Sequence, residues 1–313
     1  MRAVAMDGVN GAAEAAGDSV IRGFSCIASV LVRASHRYDA TVSERWTEIG
    51  DRVFVRRYEF FDQDIVAILG GAGALIVDTR STPAQAREIL DDLRDLGSPK
   101  VGIVVNTHGH FDHTFGNAVF RPAVIWGHQR CAAMVRLTGE LQRSSVADRL
   151  PAIAGELADV VLDPPELTFA ERASIDLDGR PIELTYFGRG HTDNDIAVAV
   201  ADADVLCLGD LVENGAPPSF GDGYPMDWPA TLSRVLPLIG ERTVVVPGHG
   251  AHAGRAFVAQ SIVEIGAIAS LARRVHAGAM TVDAAVEAAP YTEAPAREAL
   301  ERALAQLRGD LGA

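Results

Sequence analysis

The stretch His108-Gly109-His110-Phe111-Asp112-His113 constrains this chain more than any other part of it. It stands directly behind Val101-Gly102-Ile103-Val104-Val105, an apolar run of the kind that forms a buried strand. Chemistry collects where such a strand stops and a loop begins. Alternate residues of an extended chain point to one side, so His108 and His110 can reach one ion together. Asp112 and His113 then turn toward a second point nearby. Zinc favours histidine nitrogen and carboxylate oxygen, and a catalytic zinc keeps one position for water. Two ions about 3.5–4 Å apart can share a hydroxide that is nucleophilic at neutral pH. A lone histidine at a strand end is usually structural. Three histidines and an aspartate packed this closely are not.

Such a site needs ligands from elsewhere, and three further strand ends offer them. Gly188-Arg189-Gly190-His191-Thr192 follows the strand pattern Ile182–Phe187. Gly209-Asp210 follows Val205–Leu208, and Pro247-Gly248-His249-Gly250 follows Thr243–Val246. Glycine lets the backbone turn sharply and approach an ion closely. The four strand ends together supply His108, His110, Asp112, His113, His191, Asp210 and His249.

The rest of the chain frames these loops. Arg52–Arg56 alternates like a half-buried strand, and Asp64–Leu69 and Ala74–Asp78 are further strand patterns. Thr82-Pro83 opens a helix that Gly97 closes. Strands are also expected at Ala123–Trp126, Ala173–Leu177 and Ile196–Val200, and helices at His128–Leu137, Trp228–Ile239, Ala253–Ala277, Val282–Ala288 and Ala296–Arg308. Thr138–Leu162 is expected to form helices or loops over the active face. This order predicts an α/β fold, a four-layer αββα sandwich of two mixed β-sheets with helices on the outer faces. Residues 1–45 are expected to form a loosely attached extension, 46–252 one domain, and 253–313 helices packed on it as lid, dimer surface or scaffold.

A formal net charge of −14 argues against nucleic acid and against anionic lipid as partners. A small molecule is the expected partner, with a homodimer as a further expectation. No apolar run approaches the roughly 20 residues that span a bilayer. Three cysteines, Cys26, Cys131 and Cys207, make no disulfide framework, and the N-terminus lacks the order of a secretory signal. A cytoplasmic location is therefore expected.

The ligand set resembles that of the metallo-β-lactamase fold superfamily: H-x-H-x-D-H, then a glycine-histidine, an aspartate and a histidine, in the same order from Trp46 to His249. The resemblance implies that His108, His110 and His191 hold one zinc. It implies that Asp112, His113 and His249 hold the second, and that Asp210 bridges both. Iron or manganese are the alternative metals. It further implies a metal-bridging hydroxide that attacks a carbonyl or similar centre, with Asp112 handling a proton, and Asp78 as support behind the ligands. The expected activity is hydrolysis of a small ester, thioester, lactone or lactam. An iron-dependent persulfide dioxygenase and a phosphodiesterase or nuclease of the same fold are the rivals. The full second ligand group argues against the first and the charge against the second. Many members carry glycine where this chain has Asn194, a residue that tolerates a left-handed turn.

Phe111, Phe220, Tyr224 and Trp228 are candidates for an apolar substrate pocket, packing within a long loop being the alternative. His128 reads as a structural helix-opening residue, His252 as an outer residue, and His36 and His276 as surface residues. Cys207 reads as a small core residue.

Overall fold

The computed structural model describes residues 45–71, 73–97 and 99–311. The extension expected over residues 1–45, with Cys26 and His36, lies outside the described residues except for Arg45. Twelve strands follow in chain order: β1 (Thr47–Gly50), β2 (Val53–Tyr58), β3 (Gln63–Leu69), β4 (Ala74–Val77), β5 (Val101–Val105), β6 (Val124–His128), β7 (Leu167–Phe169), β8 (Arg172–Leu177), β9 (Arg180–Tyr186), β10 (Ile196–Val200), β11 (Val205–Asn214) and β12 (Val244–Gly250). Between and after them lie α1 (Pro83–Asp92), α2 (Phe111–Thr114), α3 (Gln129–Arg149), α4 (Ala154–Leu157), α5 (Trp228–Val235), α6 (Arg255–His276), α7 (Val282–Glu287) and α8 (Glu293–Arg308).

Local chemistry explains the clearest elements. Ala74, Leu75, Ile76 and Val77 are all buried, because both faces of β4 are covered. Thr82 Oγ1 accepts from the Gln85 N–H at 3.2 Å and Pro83 follows, so α1 starts where the sequence predicts. Helix α3 runs twelve residues past its expected end at Leu137. Its second half carries Glu140, Arg143 and Ser144 on the outside, so no strong apolar period marks it. Gly139 sits where a Cβ would lie 2.8 Å from Leu162, which packs the helix against the following chain. Strands β1 and β7 are too short to show a period and were not expected.

Hydrogen bonding joins the strands in one mixed sheet, in the order β7-β6-β5-β4-β3-β12-β11-β10-β9-β8, with β2 and β1 branching from β3. The sequence predicts two sheets; a single residue pair, His249 opposite Gln63, links β12 to β3 and makes the network continuous. The two halves share an inner core, in which Val53, Val66, Leu75 and Val105 meet Ile182, Ile196, Val198 and Cys207. Ile89 and Leu93 pack outside on Ile65, Ile76, Val104 and Ile125. Across the other half, Trp228, Leu232, Ile265, Ile268 and Leu300 from α5, α6 and α8 cover Leu206, Leu208 and Val245. Helix α6 is long and apolar enough to span a bilayer, by length and composition alone. Its Val258, Ile265 and Ile268 are fully buried in this core.

Candidate metal centre

The seven predicted ligands come together around the single residue pair that joins β12 to β3. After β5 the chain crosses Thr107, whose N–H and Oγ1 donate to the two Asp78 oxygens at 2.8 and 2.7 Å. His110 is the N-cap of α2, so Asp112 and His113 sit in one helical turn while His108 and His110 precede it. That turn is tied down from behind. The His113 carbonyl accepts from Asn106 Nδ2 at 2.9 Å and from Thr79 Oγ1 at 3.1 Å, and the Asp112 carbonyl accepts from Gln63 Nε2. Asp210 and His249 lie inside β11 and β12 rather than beyond them, because parallel pairing resumes after an irregularity between Gly209 and Glu213. A Cβ on Gly248 would lie 1.8 Å from Asp210 Oδ1, so only glycine lets these two strands bring their ligands this close.

Ligand atoms converge in two groups. His110 Nδ1 lies 3.0 Å from His108 Nε2 and 2.9 Å from His191 Nε2. His249 Nε2 lies 3.3 Å and His113 Nε2 3.5 Å from Asp112 Oδ2. Asp210 stands between the groups. Its oxygens lie 3.5 Å from His191 Nε2 and 3.9 Å from His108 Nε2 on one side. On the other they lie 3.4 Å from His113 Nε2 and 3.3 Å from His249 Nε2.

Each histidine offers one nitrogen inward because the other is occupied. His113 Nδ1 donates to Asp78 Oδ2 at 2.8 Å, His249 Nδ1 to the Phe61 carbonyl at 2.8 Å, and His191 Nδ1 to the Ser219 carbonyl at 3.2 Å. His110 Nε2 donates to Asp222 Oδ2 at 2.9 Å, and His108 Nδ1 lies 3.2 Å from Thr107 Oγ1. Such partners fix the ring orientation that coordination needs. Phe61 and Asp62 both adopt left-handed backbone, φ 62° and 54°, a costly conformation for these side chains. Through it the Phe61 carbonyl reaches His249.

The electrostatics fit a cation. Burial alone would push the Asp112 and Asp210 carboxyls up, yet the histidines around them hold both well below the usual carboxylate range. Burial holds the His191 imidazole down at about 4, and His108 also lies well below its ordinary value. Burial opposes charge on His113 and His249, but Asp210 and Asp112 carry both well above the ordinary histidine value. His113 Nε2 and Asp210 Oδ1 are buried without a protein hydrogen-bond partner, an arrangement proteins avoid unless something else is bound. Ligands about 2.0–2.1 Å from a tetrahedral zinc are spaced roughly 3.3 Å apart, close to the separations above. The donor set therefore fits two divalent cations.

Other predicted residues lie elsewhere. Phe111 is buried with Phe61, Phe115 and Leu157, and Phe220 and Trp228 are fully buried in the helical core. None of these, nor Tyr224, lines the cavity over the ligands; Tyr224 instead lies under the Arg189 guanidinium, 4.5 Å from its ring centre. The large aromatic rings are drawn into cores by their apolar area. His128 caps α3, its Nδ1 accepting from the Arg130 N–H at 3.3 Å, and His252 and His276 are exposed. Asn194 has no left-handed backbone. Asp195 holds that turn instead, accepting from the Thr192 N–H at 2.8 Å and its hydroxyl at 2.7 Å. The sequence does not single out Asp222, Glu213, Gln63 or Phe61. Only Glu213, three residues after Asp210, carried a positional signal.

A family model described as the metallo-beta-lactamase superfamily matches residues 58–249. A metallo-beta-lactamase type 2 of Bacteroides fragilis is 24% identical over 219 residues, 66% of this chain and 80% of that relative. The 2,4-dinitroanisole O-demethylase subunit alpha of Nocardioides sp. (strain JS1661) is 28% identical over 188 residues, 59% of this chain and 51% of that one. Among solved structures, a metallo-beta-lactamase from Pontibacter korlensis gives a TM-score of 0.56 at 20% identity, covering 71% of this chain and 98% of its own. The sec-alkyl sulfatase PisA1, a double mutant, gives a TM-score of 0.67 at 15% identity, covering 84% of this chain and 50% of its own. At these identities the structural likenesses speak to fold alone.

Proposed function

This chain belongs to the metallo-beta-lactamase superfamily, and on that premise we propose that it is a binuclear zinc hydrolase of a small ester, thioester, lactone or lactam. His108, His110 and His191 would hold one ion, Asp112, His113 and His249 the other, with Asp210 shared. The two halves of the sheet, covered outside by α1 and by α5, α6 and α8, read as the family's four-layer arrangement. The observation that carries the proposal is the placement of Asp210 within 3.3–3.9 Å of four histidines drawn from both groups.

Zinc bound there supplies Lewis acidity and ionises water at neutral pH. The protein's own residues do the rest. Asp78, Phe61, Ser219 and Asp222 fix the histidine rings before substrate arrives, so little reorganisation remains for the reaction itself. Asp112, which lines the cavity and whose Oδ2 lies 3.3 Å from His249 Nε2, would hold a proton passing to the leaving group.

A hydrolysis screen of the zinc-loaded protein across lactam, lactone, thioester, aryl ester, phosphodiester, alkyl sulfate and aryl ether substrates tests the reading. Turnover of one of the first four, with two zinc ions per chain, is expected. One iron per chain with oxygen uptake, or turnover confined to the last three, would overturn it. Asp222→Ala should lower affinity for the ion at His110 by about 10–100-fold. Competition with a chromophoric chelator measures this; unchanged affinity would remove Asp222 from the ring-orienting set.

A further inference from the structure

Helix α8 lies wholly beyond the residues that the family model matches, yet it is tied to the metal centre. Ala296, Ala299 and Ala303 are fully buried beside Leu300, and these small side chains let α8 pack closely on the core it shares with α5 and α6. Arg302 and Gln306, one turn apart, both reach the loop before α5. Arg302 Nε donates to the Gly223 carbonyl at 2.6 Å and Nη2 to the Asp222 carbonyl at 2.7 Å. Gln306 accepts from the Met226 N–H at 3.0 Å and donates to Asp227 Oδ2 at 3.0 Å. The Arg302 guanidinium also lies over Tyr224, 5.6 Å from the ring centre.

This loop carries orienting partners of one ligand group only. Asp222 Oδ2 accepts from His110 Nε2 at 2.9 Å, and the Ser219 carbonyl accepts from His191 Nδ1 at 3.2 Å. Gly223 presses on the same place: a Cβ there would lie 3.3 Å from the Gly190 and His191 carbonyls. The partners of the other group come from elsewhere in the chain, Asp78 following β4 and Phe61 preceding β3. A guanidinium is a rigid fork that can hold two successive carbonyls, which the single ammonium of a lysine cannot match.

We infer that Arg302 is a positioning residue for one ion of the pair, a reading that rests on the metal centre proposed above. By fixing the Asp222–Gly223 backbone it aims the Asp222 carboxylate at His110, and so raises the affinity of the group formed by His108, His110 and His191. An Asp222 freed at its backbone must be ordered again whenever it holds the ring, and that cost weakens metal binding. The ion at Asp112, His113 and His249 keeps its own supports and does not sense the change. Helix α8 is then part of the centre, neither a lid nor plain scaffold.

The test measures zinc affinity of the full-length protein against a chromophoric chelator in two backgrounds. Asp112→Ala leaves only the first group complete, and His191→Ala only the second. Arg302→Met should weaken zinc by about tenfold or more in the first background and leave it unchanged in the second. Arg302→Lys, which keeps the charge without the fork, should recover part of that loss, and it carries the comparison if Arg302→Met does not fold. Arg297→Ala, on the same helix but paired with Asp283 and Glu293, should alter neither affinity. Equal loss in both backgrounds would make Arg302 merely structural, and no loss in the first would overturn the inference outright. If neither background takes up zinc, the metal reading falls and the metal-free chain decides instead. The proton on His110 Nε2, identified by nuclear magnetic resonance through its loss in Asp222→Ala, should exchange with water faster in Arg302→Met; an unchanged rate overturns the role of Arg302.

Discussion

Asp112→Ala abolishes turnover while the chain stays folded. Asp112 Oδ2 faces His249 and His113, and its loss removes a carboxylate from the second ligand group. Metal and proton contributions of this kind are each worth several kcal/mol of transition-state stabilisation. At about 1.4 kcal/mol per tenfold, the rate falls by roughly a thousandfold or more. Folding is spared because the turn is held by its backbone. The Asp112 and His113 carbonyls keep their bonds from Gln63, Asn106 and Thr79 whatever side chain stands at residue 112. Steady-state hydrolysis, zinc per chain and circular dichroism together measure the outcome. Full turnover in a folded Asp112→Ala would refute the assignment of the second group; His110→Ala tests the first in the same way.

Stripping the metal with a chelator removes activity and lowers the melting temperature together. The centre buries two carboxylates beside five histidines, and two of its polar atoms have no partner within the protein. A ligand present at about a thousandfold over its Kd stabilises the folded state by about 4 kcal/mol. For a chain of this size that is several degrees of melting temperature, roughly 2–4 °C per kcal/mol at most. Calorimetric scans with and without chelator, followed by zinc add-back, read the shift. An unchanged melting point would mean that these residues do not bind metal in the folded protein.

The ligands were legible because chemistry compresses them. A cluster such as His108–His113 at a strand end has few other uses, and Gly190, Gly209 and Gly248 mark the companion loops. Strand β4 was legible because burial on both faces leaves a continuous apolar run, and β5 because its apolar residues lead into the buried Val104 and Val105. What surrounds the ligands was not legible. Asp222 meets His110 across 112 residues, and no local spacing announces a pair that only tertiary structure makes. The Phe61 carbonyl is a backbone atom and leaves no trace in residue type. The aromatic candidates failed for a different reason: Phe220 and Trp228 look alike in sequence whether they face a substrate or a helix, and here the core took them.

The bonds that aim the histidines also set an order in time. Phe61 meets His249 across 188 residues, His110 meets Asp222 across 112, and Asp222 is held by Arg302 across 80 more. Contacts this distant along the chain form slowly, since each must close a long loop before it contributes anything. Synthesis runs from the N-terminus, so His110 exists long before Asp222, the residue that steers its ring. Until helix α8 is made, a nascent chain carries the candidate metal centre without the Arg302 contact that holds Asp222 behind His110.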